Sequence, residues 1–485
     1  MSYYAYVCSI KNLRKHPNAD RLQLGECFGN TVCVDMGYAN GEVGIYFPTD
    51  GQLSVEFAEY NNLLRKKDDA GNSIGGYMDP DKRNVTSIRL RGEKSDGLFL
   101  HLNCIDYTKA NVKEGDRFTI LNGHEICQKY IPRTNKQTRV SKEKSNRTRK
   151  RKTPIAPLFT EHADTEQLAY NTNAFKSGDF VEITLKMHGT SQRTGYVPVL
   201  KGYKATNPIY QYALNAMLSG KKIGSLTRKY AERALDSATP IYDWGYVSGT
   251  RRTVLENYDG GYYGSNAFRE QHSKFFEGKL YKGEEVYYEV VGFTDTGASI
   301  MGQVDNKKLN DKEFIKQYGK ITTFSYGCRP GQLGGLIKDK KVVDNQAIIY
   351  PVSDFYVYRM TMTNEDGDVV EYTPDFMRYR CEQMGCKYVP LLWSGIIPEH
   401  PGATYDDTIS AGEWIKNIAE QYYDGPDPIG KTHVREGVVC RIVNRPKFTA
   451  FKHKNFAFKC LEGICKAEET SPDMEEAEEV LTEES

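Results

Sequence analysis

Between Lys129 and Thr153 the chain carries eleven Lys/Arg and one acid, a net charge of ten in 25 residues, with almost no large apolar side chain. A run of this kind cannot bury a core and reads as a linker. It therefore splits the 485 residues into a shorter and a longer stretch that must each fold on a core of their own. The overall charge of +1 conceals this, because residues 467–485 hold nine Asp/Glu and no base. That acidic end, short of aromatic residues, reads as a disordered tail. Lys/Arg at the density of the linker gain free energy by releasing counterions from phosphates, which favours nucleic acid as a partner.

The boundaries that follow are 1–125, a linker at 126–156, a second domain at 157–466 and the tail at 467–485. Eleven cysteines are scattered without an apolar signal core ahead of them in MSYYAYVCSIKN. This pattern points to a reducing compartment and a cytoplasmic protein rather than a disulfide framework. The pairs Cys381/Cys386 and Cys460/Cys465 lack the tight spacing and the His partners of a structural zinc site. No apolar run approaches the ~20 residues needed to cross a bilayer, so no membrane partner is expected.

The first stretch alternates short strands with Gly/Asn/Asp turns: YYAYVCSIKNL, RLQLGECFG, TVCVDMG, EVGIYFP, SIRLRG, DGLFLHL and DRFTIL. LRKHPNADRLQLGEC and RLRGEKSDGLFL resemble the tRNA-binding barrel attached to some aminoacyl-tRNA synthetases. That resemblance implies an OB-like β-barrel with a groove for single strands; a turn-rich barrel without ligand is the alternative. The second stretch mixes elements, giving an α+β chain overall. APLFTEHADTEQLAYN offers an Asp-Thr-Glu-Gln helix start, while YQYALNAMLSGKK and SLTRKYAERALD show helical spacing. EVYYEVVGF, DFYVYRMTM, EGVVCRIVN and FTAFKHKNFAFK read as strands.

In GDFVEITLKMHGTSQRTGYV, Val181, Ile183 and Leu185 alternate with Glu182, Thr184 and Lys186. A strand would bury the first three and leave Lys186 on the polar face. Gly189 would let the backbone approach a ligand, and Thr190 and Ser191 supply hydroxyl donors. Taken alone, a solvent lysine is the commoner reading. Three further strands repeat the device: Glu289 shares a side with Tyr287 and Glu285, Glu436 opens a strand whose Val438, Cys440 and Ile442 share a face, and Lys452 and Lys454 point the same way. Two carboxylates and a cation pair on polar strand faces suit a nucleotide-phosphate pocket.

Read in order, KMHGTS, YEVVG, DFYVYRM with NEDGDVVEYTPDFM and VPLLW, EGVV and FKHKN resemble the ATP-dependent RNA ligases of the covalent nucleotidyltransferase superfamily. The similarity is to the nick-sealing phage-type group, and to members carrying an OB domain ahead of the catalytic one. The His in KMHG is typical of these RNA ligases, whereas DNA ligases and capping enzymes more usually have Asp. The resemblance implies an ATP-grasp-like adenylation domain built on antiparallel sheets with helices. It also implies ATP and Mg²⁺ or Mn²⁺ as cofactors and RNA as partner, as nicked duplex or RNA/DNA hybrid, handled by a monomer.

The resemblance further implies that Lys186 attacks the α-phosphorus of ATP, Glu289 binds ribose, Tyr358 stacks on adenine and Glu436 helps place the metal. Lys452 and Lys454 would hold the α-phosphate, and Arg251, or its neighbour Arg252, would contact ribose or phosphate. About sixty residues lie between Lys186 and Arg251, a longer gap than the simplest members have. Leu185 stands where the related group often has an acid, and Arg441 where it often has a lysine. A free lysine, with pKa roughly 10.4, is protonated at neutral pH, so nearby cations, desolvation and a bound metal would be needed to free the amine. Two other readings stay open: a non-catalytic RNA-binding protein with a relic transferase domain, and a GTP-using capping guanylyltransferase.

Overall fold

The computed structural model describes residues 3–461 apart from 68–72, 77, 92, 131–152, 164, 220–221, 259–262, 264, 310, 332–336, 344–345 and 403–408. The core of the basic linker and the acidic tail thus lie outside the described residues. Among the described residues no helix is long and apolar enough to cross a membrane.

The strands expected in the first stretch form, all paired antiparallel. A four-stranded sheet runs Leu98–His101, Val43–Phe47, Ala5–Ser9, Arg117–Phe118, and three-stranded sheets join Lys11–Lys15 to Leu22–Cys27 and Asn30–Asp35, and Cys127–Lys129 to Gly51–Leu53 and Asn84–Val85. Alternate residues of the first sheet, including Ala5, Val7, Ile45 and Phe47, enter an apolar core with Leu53, Phe57 and Ile126. These ladders are separate, and among the described residues they do not close into a barrel. Pairing of Cys127–Lys129 with Gly51–Leu53 carries this unit slightly past residue 125.

His16 of the HPNAD turn is buried. Its Nδ1 accepts the Asn18 backbone N–H at 3.0 Å, so the ring proton sits on Nε2, which donates to the Leu90 carbonyl at 3.0 Å. The motif is therefore a brace between two turns.

The second stretch is built on two five-stranded sheets, whose strands we number in chain order: β1 Glu166–Gln167, β2 Phe180–Lys186, β3 Thr190–Lys204, β4 Thr239–Gly249, β5 Glu284–Gly292, β6 Ser353–Thr363, β7 Val369–Glu371, β8 Leu391–Ile396, β9 Gly437–Ile442 and β10 Thr449–Lys454. One sheet has the order β1-β10-β9-β2-β8 and the other β4-β3-β5-β6-β7. All pairs are antiparallel except β1 with β10. The helices used below are α1 Pro208–Leu218, α2 Ser225–Ser237, α3 Pro374–Met384, α4 Ala411–Tyr422 and α5 Phe456–Leu461.

Period-2 alternation decides what each face of the first sheet does. Val181, Ile183, Val438, Cys440, Ile442 and Phe451 pack under Ile415 and Ala419 of α4. That helix starts at a reciprocal cap in which Ser410 and Glu413 satisfy one another's backbone N–H. The second sheet buries Val286, Tyr288 and Val290 with Phe268, Phe276, Met360 and the α3 residues Met377, Cys381 and Met384.

One expectation fails locally. The Asp-Thr-Glu-Gln segment does not start a helix: Glu166 and Gln167 pair in parallel with Phe451 and Lys452, and short 3₁₀ turns follow at Leu168–Tyr170 and Thr172–Ala174. An open sheet edge beside β10 outcompetes a weak local preference. Tyr170 then packs against Tyr6 and Phe28 of the first unit, with centroids 4.9 and 5.4 Å apart.

The long gap before Arg251 is also explained. β3 and β4 form an extended ribbon, and the helical pair α1–α2 connects their far ends. Both helices fall where the apolar spacing placed them, α1 beginning at an Asn207 cap with Pro208 in its first turn.

Candidate active site

The chain passes from one sheet to the other at Met187-His188-Gly189, between the end of β2 and the start of β3. Lys186 therefore sits at the seam. Across the first sheet, Lys186 lies opposite Gly437 and Gly437 opposite Lys454; Thr184 lies opposite Val439 and Val439 opposite Lys452; Glu182 lies opposite Arg441. The residues facing away from α4 thus form a ladder of charged and polar groups.

Gly437 is what lets the two terminal lysines converge. Its φ of 149° is one L side chains rarely adopt, and a Cβ there would sit 2.1 Å from the His453 carbonyl oxygen. Glu436, 1% exposed, receives both amines: Lys186 Nζ lies 2.8 Å and Lys454 Nζ 3.2 Å from its Oε1, and His188 Nδ1 lies 3.5 Å from Oε2. Burial alone would raise the Glu436 carboxyl. The two ammonium groups and the contact with His188 outweigh burial and hold it well below the usual carboxylate range.

The remaining contacts of His188 fix the loop. Its backbone N–H donates to Tyr326 Oη at 2.7 Å, and its ring meets the rings of Phe324 and Phe458 edge-on at 4.5 and 4.7 Å.

The second sheet supplies the opposite wall. Glu289 Oε1 accepts the Gly189 N–H at 3.1 Å. A Cβ at Gly189 would meet the Val290 carbonyl oxygen at 2.4 Å, so this glycine admits the neighbouring strand rather than the ligand expected from the sequence. Tyr358 owes its direction to a bulge: Val357 pairs with Tyr288 and Arg359 with Tyr287, leaving Tyr358 as the extra residue. Its hydroxyl meets Ser191 Oγ at 3.0 Å.

Between the walls lies an open cavity of about 920 Å³, counting the solvent at its mouth. Lys186, Arg251, Glu289, Tyr358 and Lys452 all line it. Gly189, Lys454 and Glu436 do not; the last two stand behind Lys186. Arg252 is absent from the lining and instead offers its carbonyl to Arg193 Nη2 at 3.3 Å. Lys452 is nearly fully buried, and burial first, then repulsion from Lys454 and Lys186, brings its pKa down to about 7.

Two titratable lining residues, His162 and Arg378, were not singled out in the sequence. Glu182 and Arg378 form a two-pronged ion pair at 2.9 and 2.8 Å. His162 Nδ1 accepts from Arg359 Nη1 at 3.2 Å, and burial, then Arg251, Arg359 and Arg193, hold the ring well below its ordinary pKa. Arg359 also grips Glu371 in two-pronged fashion at 2.9–3.0 Å, and Arg441 lies 3.4 Å from the same carboxylate. Arg441, on the first sheet, thereby ties it to β7 of the second. The only available signal was charge inside otherwise apolar strands, as in VVCRI; His162 and Arg378 lie in irregular or helical segments that give no such signal.

The cavity is thus chemically graded. Tyr358, Met377, Val389, Val439 and Phe448 offer an aromatic and apolar region, while Lys186, Lys452 and Arg251 offer cations. A flat heteroaromatic base with a phosphate chain matches both. Among the described residues no group of three or more His, Cys, Asp or Glu could hold a metal by itself. A small hard cation commonly needs only one or two carboxylates together with the oxygens of bound phosphates, and Glu436 is the carboxylate that stands beside the lysines.

No family model and no curated protein matches the chain. Among solved structures, it is similar to Naegleria gruberi RNA ligase with PPi, at a TM-score of 0.51 and 16% identity over 94% of this chain and 97% of that one. It is also similar to a variant of that ligase with ATP and Mn, at a TM-score of 0.49 and 16% identity over 94% and 97% of the two chains. The first likeness shows that the chain has the fold of that ligase over nearly its whole length.

Proposed function

We propose that the protein is an ATP-dependent RNA ligase, joining 3′-hydroxyl and 5′-phosphate ends through a covalent lysine-AMP. The observation that carries this reading is the position of Lys186, at the seam of two sheets with its amine on Glu436 and its side chain lining a cavity shared with Lys452, Arg251, Glu289 and Tyr358.

In the first step the Lys186 amine attacks the α-phosphorus of ATP, forming a P–N bond as the bond to pyrophosphate breaks. A 5′-phosphate oxygen then attacks the same phosphorus and frees the amine. Finally a 3′-hydroxyl attacks the 5′-phosphate and AMP leaves. Little covalent work falls to other residues, whose role is positioning and charge. Tyr358 and Val439 hold the base, Glu289 and Arg251 the sugar-phosphate and Lys452 the α-phosphate, while Lys454 stays behind Lys186 on Glu436.

With Nζ 2.8 Å from a buried carboxylate, Lys186 rests as an ammonium, which is not a nucleophile. Mg²⁺ or Mn²⁺ at Glu436 would neutralise that carboxylate and so remove the charge that keeps the amine protonated. Lys454, an ammonium on the same carboxylate, then disfavours a second positive charge at Lys186.

For the remainder of the chain we take 1–125 as an OB-like nucleic-acid module, 126–156 as a basic tether for RNA phosphates and 157–466 as the catalytic domain of an intracellular monomer. A nicked duplex or an RNA/DNA hybrid suits a site that must present both ends together. Incubation with α-labelled ATP and Mg²⁺, followed by a denaturing gel, tests the central step. A covalent label is expected on the wild type and none on Lys186→Ala; equal labelling of both would refute the mechanism. Excess unlabelled ATP, and not GTP, should chase the label.

A further inference from the structure

We propose that Cys381 and Cys386 are a modification site, an oxidisable dithiol that a peroxide closes to a disulfide across the C-terminal cap of α3. The helix ends at Gly385, whose φ of 71° and ψ of 35° are left-handed. Gly385 N–H donates to the Glu382 carbonyl at 3.1 Å and Cys386 N–H to the Cys381 carbonyl at 3.0 Å. That double hydrogen bond defines a Schellman cap, which brings the side chains three residues before the cap and two after it into contact. An apolar pair usually fills those positions. Here both are cysteines, Cys381 inside the core of the second sheet and Cys386 packed against that same core.

The two sulfurs differ in what surrounds them. Cys381 is fully buried in the core of the second sheet, whereas Cys386 is only half-buried. Lys279 reaches the same cap, its Nζ donating to the Met384 carbonyl at 3.1 Å. The neighbouring Cys381 thiol, against the effect of burial, and then the charges of Lys279 and Arg380 favour the Cys386 thiolate. Cys386 is thus the attacking sulfur and Cys381 the resolving one.

The chemistry balances. The Cys386 thiolate takes one peroxide oxygen, an S–O bond forming as the O–O bond breaks, and hydroxide departs to become water. Sulfur of Cys381 then attacks that of the sulfenic acid; the S–S bond forms, the S–O bond breaks, and the Cys381 proton leaves with the second water. Two thiols are oxidised and one peroxide reduced. Because α3 also presents Pro374, Met377 and Arg378 to the cavity, the bond would lock the far end of one of its walls.

The chain contains its own control. Cys8 and Cys27 share one apolar cluster, but both are buried, so neither presents a sulfur to peroxide. The test treats the native full-length protein with graded hydrogen peroxide, blocks remaining thiols by alkylation and maps peptides by mass. A Cys381–Cys386 disulfide, lighter by two hydrogen atoms and reversed by reductant, should form about tenfold faster than any change at Cys8 or Cys27. Cys381→Ala should strand Cys386 as a sulfenic acid that dimedone captures. Accumulation of Cys386 sulfinic acid with Cys381 still alkylatable, or oxidation of both pairs at equal rates, would overturn the proposal. The wild-type peptide map decides the matter even if the variant folds poorly.

Discussion

The two folding units bury very different things. Among described residues before 130, the fully buried polar side chains are His16, Gln23, Ser87, Ser95 and Thr108, none of them a carboxylate, lysine or arginine. In the two-sheet unit Glu182, Arg193, Arg269, Glu284, Glu285, Arg359, Arg380, Glu436, Arg441, Lys452 and Lys454 are all buried. Removing a charge from water costs several kcal/mol unless partners replace the solvent. Three of them, Glu182, Arg441 and Lys452, line the cavity, and Glu436 and Lys454 stand with Lys186 beside it. The first unit shows the same chain building a core without a buried carboxylate, lysine or arginine among its described residues.

The sharpest way to break this contrast is to orphan one buried charge in the second unit. Arg380 and Glu284 pair at 2.8 Å with side-chain exposures of 4% and 0%. Arg380→Met should destabilise the protein by about 3–5 kcal/mol in urea denaturation. A loss below about 1 kcal/mol would mean that the interior is wetter than the geometry indicates.

Lys452 gives a pH-dependent version of the same test. Its folded pKa lies near 7, below its free value, so the unfolded chain binds more protons between about pH 7 and pH 10.4 and stability rises with pH across that window. Below pH 7 the folded state bears the whole penalty. Lys452→Met should therefore be more stable than wild type at pH 6, by roughly a few kcal/mol, with the gain shrinking towards pH 10. A gain independent of pH would show that Lys452 does not titrate in this range.

Smaller effects are expected at Tyr358. Tyr358→Ala should weaken ATP binding by about 1–3 kcal/mol, read by calorimetry, if a base stacks there. Tyr358→Phe keeps the ring and loses only the Ser191 contact, so it should stay within about twofold of wild type. The smallest change belongs to Arg117→Ala, which breaks a half-exposed pair with Glu166 at 2.7 Å and should cost less than about 1 kcal/mol.

How far the sequence could be read follows from the same contrast. Where charge interrupts a strict alternation, the interruption is visible: strand period puts Lys186, Glu289, Lys452 and Lys454 on polar faces, whereas Glu436 has the parity of the apolar Val438, Cys440 and Ile442 and meets the lysines from just before the strand begins at Gly437. Tyr358 was named only through family resemblance, because a bulge breaks the alternation that would otherwise direct it. His162, Arg378 and Glu371 depend on partners 12 to 197 residues away, and nothing local marks them. The helix expected at Asp-Thr-Glu-Gln failed for the same reason, since the sheet edge that recruits Glu166 lies almost 300 residues further on. Strand existence in the first unit was legible from turns and alternation, whereas closure into a barrel depends on long-range ladders.

The ribbon of β3 and β4 begins four residues beyond Lys186 and carries β3 for 15 residues before the helical pair takes over. At roughly 3.3 Å per residue, its far end lies about 45 Å along the strand from the seam. A fluorophore attached at exposed Lys204 would then report from a lever arm rooted in the loop at Met187-His188-Gly189 yet distant from the cavity. Such a label offers an optical readout of how the two sheets move while the lysine itself stays chemically untouched.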